Sequence, residues 1–138
     1  MEFSGAKLAL FLGPDLLVIR RDDRPDIPWP NHWDLPGGGR EGNETAAQCA
    51  LRETYEEVGL TLHEHDLVWA RHYPRSHGTV WFFAAHGPRR MQEQIVFGNE
   101  GQGWSLMPAR TYCDHELAVP HFAEQLRLYL AETNGRSV

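Results

Sequence analysis

The chain has 138 residues, 41% of them hydrophobic and 23% charged, which suits one globular domain with its own core and excludes fibrous, low-complexity and membrane-spanning classes. With 19 acidic residues against 13 basic ones the net charge is −6, a surface that repels long phosphate backbones and excludes nonspecific nucleic-acid binding. A small polyphosphate stays open, because a bound cation reverses the local sign.

In chain order, "KLALFLGPDLLVIRR" (residues 7–21) holds two apolar runs split by Gly13-Pro14-Asp15, which predicts two strands joined by a turn. Residues 22–33, "DDRPDIPWPNHW", carry three prolines and read as a loop whose Trp29 and Trp33 pack back on the domain. Four glycines follow in "LPGGGREGNE" (35–44), read as a loop ahead of a helix from about Glu44 to Val58 that Gly59 stops. Residues 67–73 and 79–85 read as strands around a polar turn containing Ser76-His77-Gly78, and 87–94 as polar loop or hairpin. A glycine-rich loop at 97–103 leads into the short strand "WSLM". From Pro120 to about Glu132, Phe122, Leu126, Tyr129 and Leu130 recur at helical spacing and predict an amphipathic closing helix. This order predicts an α/β fold, a mixed sheet with helices packed on it, in a single domain over 1–138.

The two cysteines, Cys49 in the helix and Cys113 in a late loop, are expected as free thiols in a reducing compartment. The apolar run "LALFL" near the N-terminus is too short for a signal-peptide core or a membrane span, so the expected location is cytoplasmic, with no membrane partner.

The helix poses the chemical question. On a wheel, Ala47, Leu51, Thr54 and Val58 form a stripe expected to face the sheet, and Glu53, Glu56 and Glu57 fall together on the far side. Three carboxylates at i, i+3 and i+4 repel one another, and the helix C-terminus disfavours them further. Taken alone they are a solvated acidic face. Beside a glycine-rich loop that brings bare backbone close, they make a site for a hard divalent cation and a phosphate.

Residues Gly38, Glu44, Arg52, Glu53, Glu56, Glu57 and Gly59 resemble the box of the Nudix hydrolase family, G-x5-E-x7-R-E-U-x-E-E-x-G-U with U bulky and apolar. Leu60 fills the last U, and Thr54 replaces the first; its buried hydroxyl needs a partner, expected to be a carbonyl one turn back. The resemblance, closest to the MutT-like branch, implies a mixed β-sheet sandwiched between α-helices. It also implies Mg²⁺ (Mn²⁺ as a substitute) held by Glu53, Glu56, Glu57 and a backbone carbonyl of Gly37 or Gly38. Arg52 is then a structural residue pairing with Glu41 or Glu44, and Glu44 suits either the helix start or the metal.

The likeness extends beyond the box. "NEGQGWSLM" (99–107) resembles the late loop and strand of MutT-like enzymes, which makes Glu100 a general base or further metal ligand; the alternative base is whichever of Glu53, Glu56 and Glu57 is left free of direct ligation. "LLVIRRDD" (16–23) resembles their early strand, with a basic residue for phosphate; of Arg20 and Arg21, which alternate in facing, Arg21 is the expected one. Trp33, Trp81, Phe82 and Trp104 are the aromatic candidates for stacking on a base, Trp104 being assigned to substrate. His63 and His65 read as surface, and His32 and His121 as residues that could border a pocket.

The family implies hydrolysis of a nucleoside diphosphate linked to another group. The expected substrate is a nucleoside triphosphate, normal or oxidised, giving a nucleoside monophosphate and pyrophosphate. Nucleotide sugars, dinucleoside polyphosphates and capped RNA ends are alternatives within the same chemistry, and the short chain favours simple nucleotides. A regulatory nucleotide-binding module is the competing class, against which stands the full set of box glutamates. No acidic 12-residue loop for calcium occurs.

Overall fold

A computed structural model describes residues 2–133. Strands β1 (Gly5–Leu12) and β2 (Asp15–Arg20) flank the expected turn, in which Gly13 adopts φ 62°. Two short strands follow, β3 (Trp33–Asp34) and β4 (Gly37–Gly39), and then helix α1 (Ala46–Val58). The hairpin β5 (Leu67–Arg75) and β6 (Gly78–Gly87), strand β7 (Gly103–Pro108), helix α2 (Ala109–Asp114) and helix α3 (Pro120–Thr133) complete the order.

The sheet is mixed. β1 runs parallel to β6 along its whole length, while the other strand pairings among the described residues are antiparallel, and an isolated parallel bridge joins Trp33 to Ala118. β1 and β2 pair only beside their turn, at Phe11–Leu16 and Leu12–Asp15, and then separate. The chain from 33 to 39 fills the wedge between them, β3 pairing with β2 and β4 with β1. This splay positions the site.

Alternation along β1 builds two cores. Ala6, Leu8, Leu10 and Leu12 face α1 with Cys49, Ala50, Val58 and Phe83. Ala9 and Phe11 face α2 and α3 with Tyr112, Phe122, Leu126 and Tyr129. Each such buried Leu or Phe contributes about 1.5–3 kcal/mol, so the strand is fixed from both sides. The result is the expected sheet between helical layers.

Helix α1 starts at Ala46, two residues later than predicted. Thr45 is its N-cap, in a reciprocal box where Gln48 N–H donates to Thr45 Oγ1 (3.1 Å) and Thr45 N–H to Gln48 Oε1 (2.8 Å). Gly59 ends it at φ 72°, donating to the Tyr55 carbonyl. Thr54 Oγ1 donates to the Ala50 carbonyl at 2.7 Å, one turn back.

Several expectations are corrected. The glycines 37–39 form a strand, because they extend the edge of β1, and Trp33–Asp34 form another inside the proline-rich loop. Residues 89–94 make a 3₁₀ turn, and Cys113 lies in α2 rather than a loop. The buried arc of α1 is Cys49, Ala50, Thr54 and Val58, with Ala47 and Leu51 only partly covered. The wheel stripe is therefore rotated, and Glu53 and Glu57 lie within the face turned to the sheet. Among the described residues no helix is long and apolar enough to cross a membrane.

Candidate functional site

Helix α1 packs across the glycine strand. Gly37 N–H donates to Glu57 Oε1 at 2.9 Å. The Glu53 carboxylate lies so close over Gly38 that a Cβ there would stand 2.3 Å from Glu53 Oε1. At Gly37 (φ 136°) a Cβ would stand 2.2 Å from the Ala6 carbonyl oxygen. One glycine thus makes room for a carboxylate and the other for the neighbouring backbone.

Burial pushes the Glu57 carboxyl up to about 8, with Asp34 and Glu53 adding to the rise and the Lys7 charge and the Gly37 N–H opposing it. An anion here lacks sufficient positive charge from the protein alone. Lys7, on β1, points its ammonium into the wedge, donating to both Asp34 oxygens (3.1 and 3.2 Å), to the Leu35 carbonyl (3.2 Å) and to the Gly37 carbonyl (3.1 Å).

Arg52 gathers the other acids. Its Nε and Nη2 bind Glu44 Oε2 (3.0 Å) and Oε1 (2.8 Å) as a two-pronged pair, and Nη2 also donates to the Gly39 carbonyl at 2.8 Å. Its Nη1 reaches Glu53 (2.9 Å), Glu56 (3.2 Å) and Glu41 (3.3 Å). Both expected partners, Glu41 and Glu44, are therefore on the one guanidinium. These hydrogen bonds from Arg52 hold the Glu44 carboxyl down at about 2. Glu44 Oε1 also accepts from Glu41 N–H at 2.8 Å, closing the loop onto the helix. The neighbouring Cys49 thiol is pushed up to about 12, chiefly by burial, and is inert.

The three glutamates do not converge on one point. Glu56 is exposed and turned to Arg52, and among the described residues no three His, Cys, Asp or Glu side chains form a ready cage. The facing pair is Glu53 and Glu57. That pair fits a Mg²⁺-like ion, which takes one or two protein carboxylates and completes its shell with water and phosphate. The donors are hard oxygens, the absent Cβ of Gly38 leaves the Glu53 carboxylate its place, and the Lys7 charge does not offset the cost of keeping the partly buried Glu57 anionic.

Two cavities flank this edge. The smaller, of about 370 Å³, is lined by Glu57, Glu100, Gly101, Arg21, Asp22, Arg24 and Asp34 among others. The 98–102 loop that brings Glu100 there is tied down by Gly98 N–H to the Glu57 carbonyl (2.9 Å) and Gln102 N–H to the Arg20 carbonyl (2.8 Å). Arg21 and Asp34 also border the larger cavity, of about 520 Å³, with Lys7, Gly38, Trp29, Arg75, His121 and Phe122. Arg21 Nη1 binds Asp34 at 2.8 Å and its Nε binds the Pro28 carbonyl at 2.9 Å. Arg20 is turned away, bonded to Asn31 and laid over the Trp33 ring.

None of the four expected aromatic platforms lines either of these two cavities. Trp104 and Trp81 pack on the α1-side core, and Phe82 and Trp33 on the opposite one. Trp29, 39% exposed at φ 49°, lines the larger cavity instead, its ring near His121 (6.2 Å) and edge-on to His32 (5.3 Å). The His121 ring is pushed down to about 4, chiefly by burial and then by Arg75, and is neutral. Lys7, Asp34, Trp29 and Arg75 were missed as site residues. A lysine breaking the apolar run of β1 was the available signal for Lys7. His63 and His65 stack on each other in a 3₁₀ turn away from both cavities.

A family model of the NUDIX domain matches residues 4–129. The chain belongs to that family. Among curated proteins, this Nudix chain is 33% identical over 90 residues to the 8-oxo-dGTP diphosphatase of Escherichia coli K12, covering 64% of this chain and 65% of that one. The match thus spans just under two thirds of the relative's own length. The crystal structure of a MutT protein from Methanosarcina mazei Go1 superposes with TM-score 0.74 at 18% identity, covering 95% and 94% of the two chains. A C. elegans Ap4A hydrolase superposes with TM-score 0.71 at 22% identity, covering 95% and 98%. The two solved structures share the fold of this chain.

Proposed function

We propose that this Nudix chain is a Mg²⁺-dependent hydrolase of a nucleoside diphosphate linked to a further group, acting on a nucleoside triphosphate to give a nucleoside monophosphate and pyrophosphate. The observation that carries it is the seating of Glu53 and Glu57 on Gly37–Gly38, between two cavities that share Arg21. The relation to a protein named 8-oxo-dGTP diphosphatase supports a nucleotide substrate.

A divalent cation would be held by Glu53 and Glu57, with Glu56 and the Gly37 carbonyl as further donors, and when bound it neutralises phosphate charge and acidifies water. The chain's own residues do the rest. Arg21 is partly tied to Asp34 and Pro28 but keeps Nη2 free of protein hydrogen bonds among the described residues, and it binds a phosphate where the two cavities meet. Glu100, across the smaller cavity from Glu57, takes the proton from the attacking water. Arg52 orients the helix and does not touch substrate. Trp29 and Phe122 wall the space for the nucleoside.

The test is phosphate and pyrophosphate release with Mg²⁺ across normal and oxidised nucleoside triphosphates, nucleotide sugars and dinucleoside polyphosphates. Pyrophosphate from a triphosphate is the expected outcome. No release from any of them would leave a binding module as the better reading.

A further inference from the structure

We infer that Arg75, at the tip of the β5–β6 hairpin, reads the O6/N7 edge of an unoxidised guanine-type purine in the larger cavity, so that such nucleotides are preferred to their 8-oxo forms. This rests on the proposed hydrolase reading and adds the base to it.

The larger cavity is big enough for a nucleoside, and Trp29 offers a half-exposed ring on its wall. Its polar groups are unevenly disposed. The acceptors are spoken for within the protein. Asp34 accepts from Lys7, Arg21 and the Leu35 N–H, the Pro28 carbonyl from Arg21, the Gly39 carbonyl from Arg52 and the Ser4 carbonyl from Arg40. What is left among the described lining residues is neutral: the Ser4 hydroxyl, which donates to the Thr79 carbonyl, and the ring nitrogens of His77 and His121. The donors are in surplus, and the Arg75 guanidinium has no hydrogen bond or ion pair among the described residues. Such a wall selects a ligand edge made of acceptors.

Purines differ on that edge. Guanine presents O6 and N7, two adjacent acceptors that match the guanidinium fork. Adenine sets an amino donor beside N7. Oxidation at C8 puts a hydrogen on N7, so the 8-oxo form turns an N–H toward the cation and loses one of the two bonds. With the carboxylate of Asp34 consumed by Lys7 and Arg21, the cavity has no free acidic group to accept that N–H.

The experiment compares dGTP, 8-oxo-dGTP and dATP by kcat/KM with Mg²⁺ for the wild type, Arg75→Ala and Arg75→Lys. In parallel it measures GMP and 8-oxo-GMP binding by calorimetry in chelator. The wild type should favour dGTP by about tenfold or more, mainly through KM, and GMP should bind correspondingly tighter. Arg75→Ala should bring the ratios to within about twofold without a change in melting temperature, since the side chain is exposed. Arg75→Lys, lacking the fork, should not restore them. A wild type that prefers 8-oxo-dGTP, or an Arg75→Ala enzyme that keeps the ratio, overturns the inference. Hydrolysis without base preference removes the inference and leaves the hydrolase; selective GMP binding without hydrolysis does the reverse. Neither activity nor binding sinks both.

Discussion

Arg52 and Glu44 form a two-pronged pair, Nε to Oε2 at 3.0 Å and Nη2 to Oε1 at 2.8 Å, that ties the loop before α1 to the middle of the helix. A lysine cannot reproduce two parallel bonds. Arg52→Lys is expected to cost about 1–3 kcal/mol, read as a melting temperature lower by about 4 °C per kcal/mol at this chain length. Glu44 titrates near 2 in the fold against 4.5 when free, so its stabilisation is complete above 4.5 and lost as pH falls toward 2. Melts of Glu44→Gln and wild type should differ at pH 7 and converge toward pH 2.

Glu57 has the opposite sign. Its folded value of about 8 lies above its free value of 4.5, so the metal-free fold binds the extra proton and loses stability as pH rises from 4.5 to 8. In chelator at pH 8, Glu57→Gln should melt higher than wild type, and the gap should close below pH 4.5. In Mg²⁺ the same variant should lose turnover by about two orders of magnitude or more. Unchanged turnover at saturating Mg²⁺ would contradict the ligand role.

The two glycines under α1 should separate fold from chemistry. A Cβ at Gly37 meets the Ala6 backbone at φ 136°, whereas one at Gly38 meets only the tip of the Glu53 side chain. Gly37→Ala is expected to destabilise by about 3 kcal/mol or more. Gly38→Ala should change the melting temperature by no more than about 4 °C and still reduce kcat about a hundredfold by displacing Glu53. Parallel melts and rates on the purified variants decide it.

Glu100 lies in the smaller cavity with Glu57 and is anchored by its loop to Arg20 and Glu57. Glu100→Gln should lower kcat by about 10²–10⁴ with KM within about threefold. A change confined to KM would argue for a binding contact instead.

What the sequence made legible follows from spacing. Box residues 38–59 are local, so the helix, its stop at Gly59, the Arg52 pairing and the Thr54 back-bond could be read from one turn to the next. What escaped depends on contacts between distant segments. The wheel placed Glu53 and Glu57 on the outer face because it scores apolar stripes, and a helix seated on glycine backbone buries acid there. Trp104 read as a platform, but β7 pairs in register with β2 and lays that partly buried ring against the α1-side core. Trp29 and Arg75 meet one cavity from a proline-rich loop and a hairpin tip, an encounter with no local signature.

The wedge between β1 and β2 has a consequence for how this molecule can change. Asp34 sits in it, held by Lys7 from one strand and by Arg21 just past the end of the other, and it borders both hollows. Replacing the hairpin tip would remodel the larger cavity, replacing the 22–32 loop would remodel both, and either change leaves the ties of α1 to β4 intact. Altering Asp34 would loosen both strands at once, so new substrate preferences are open to this scaffold at its rim and closed at its keystone.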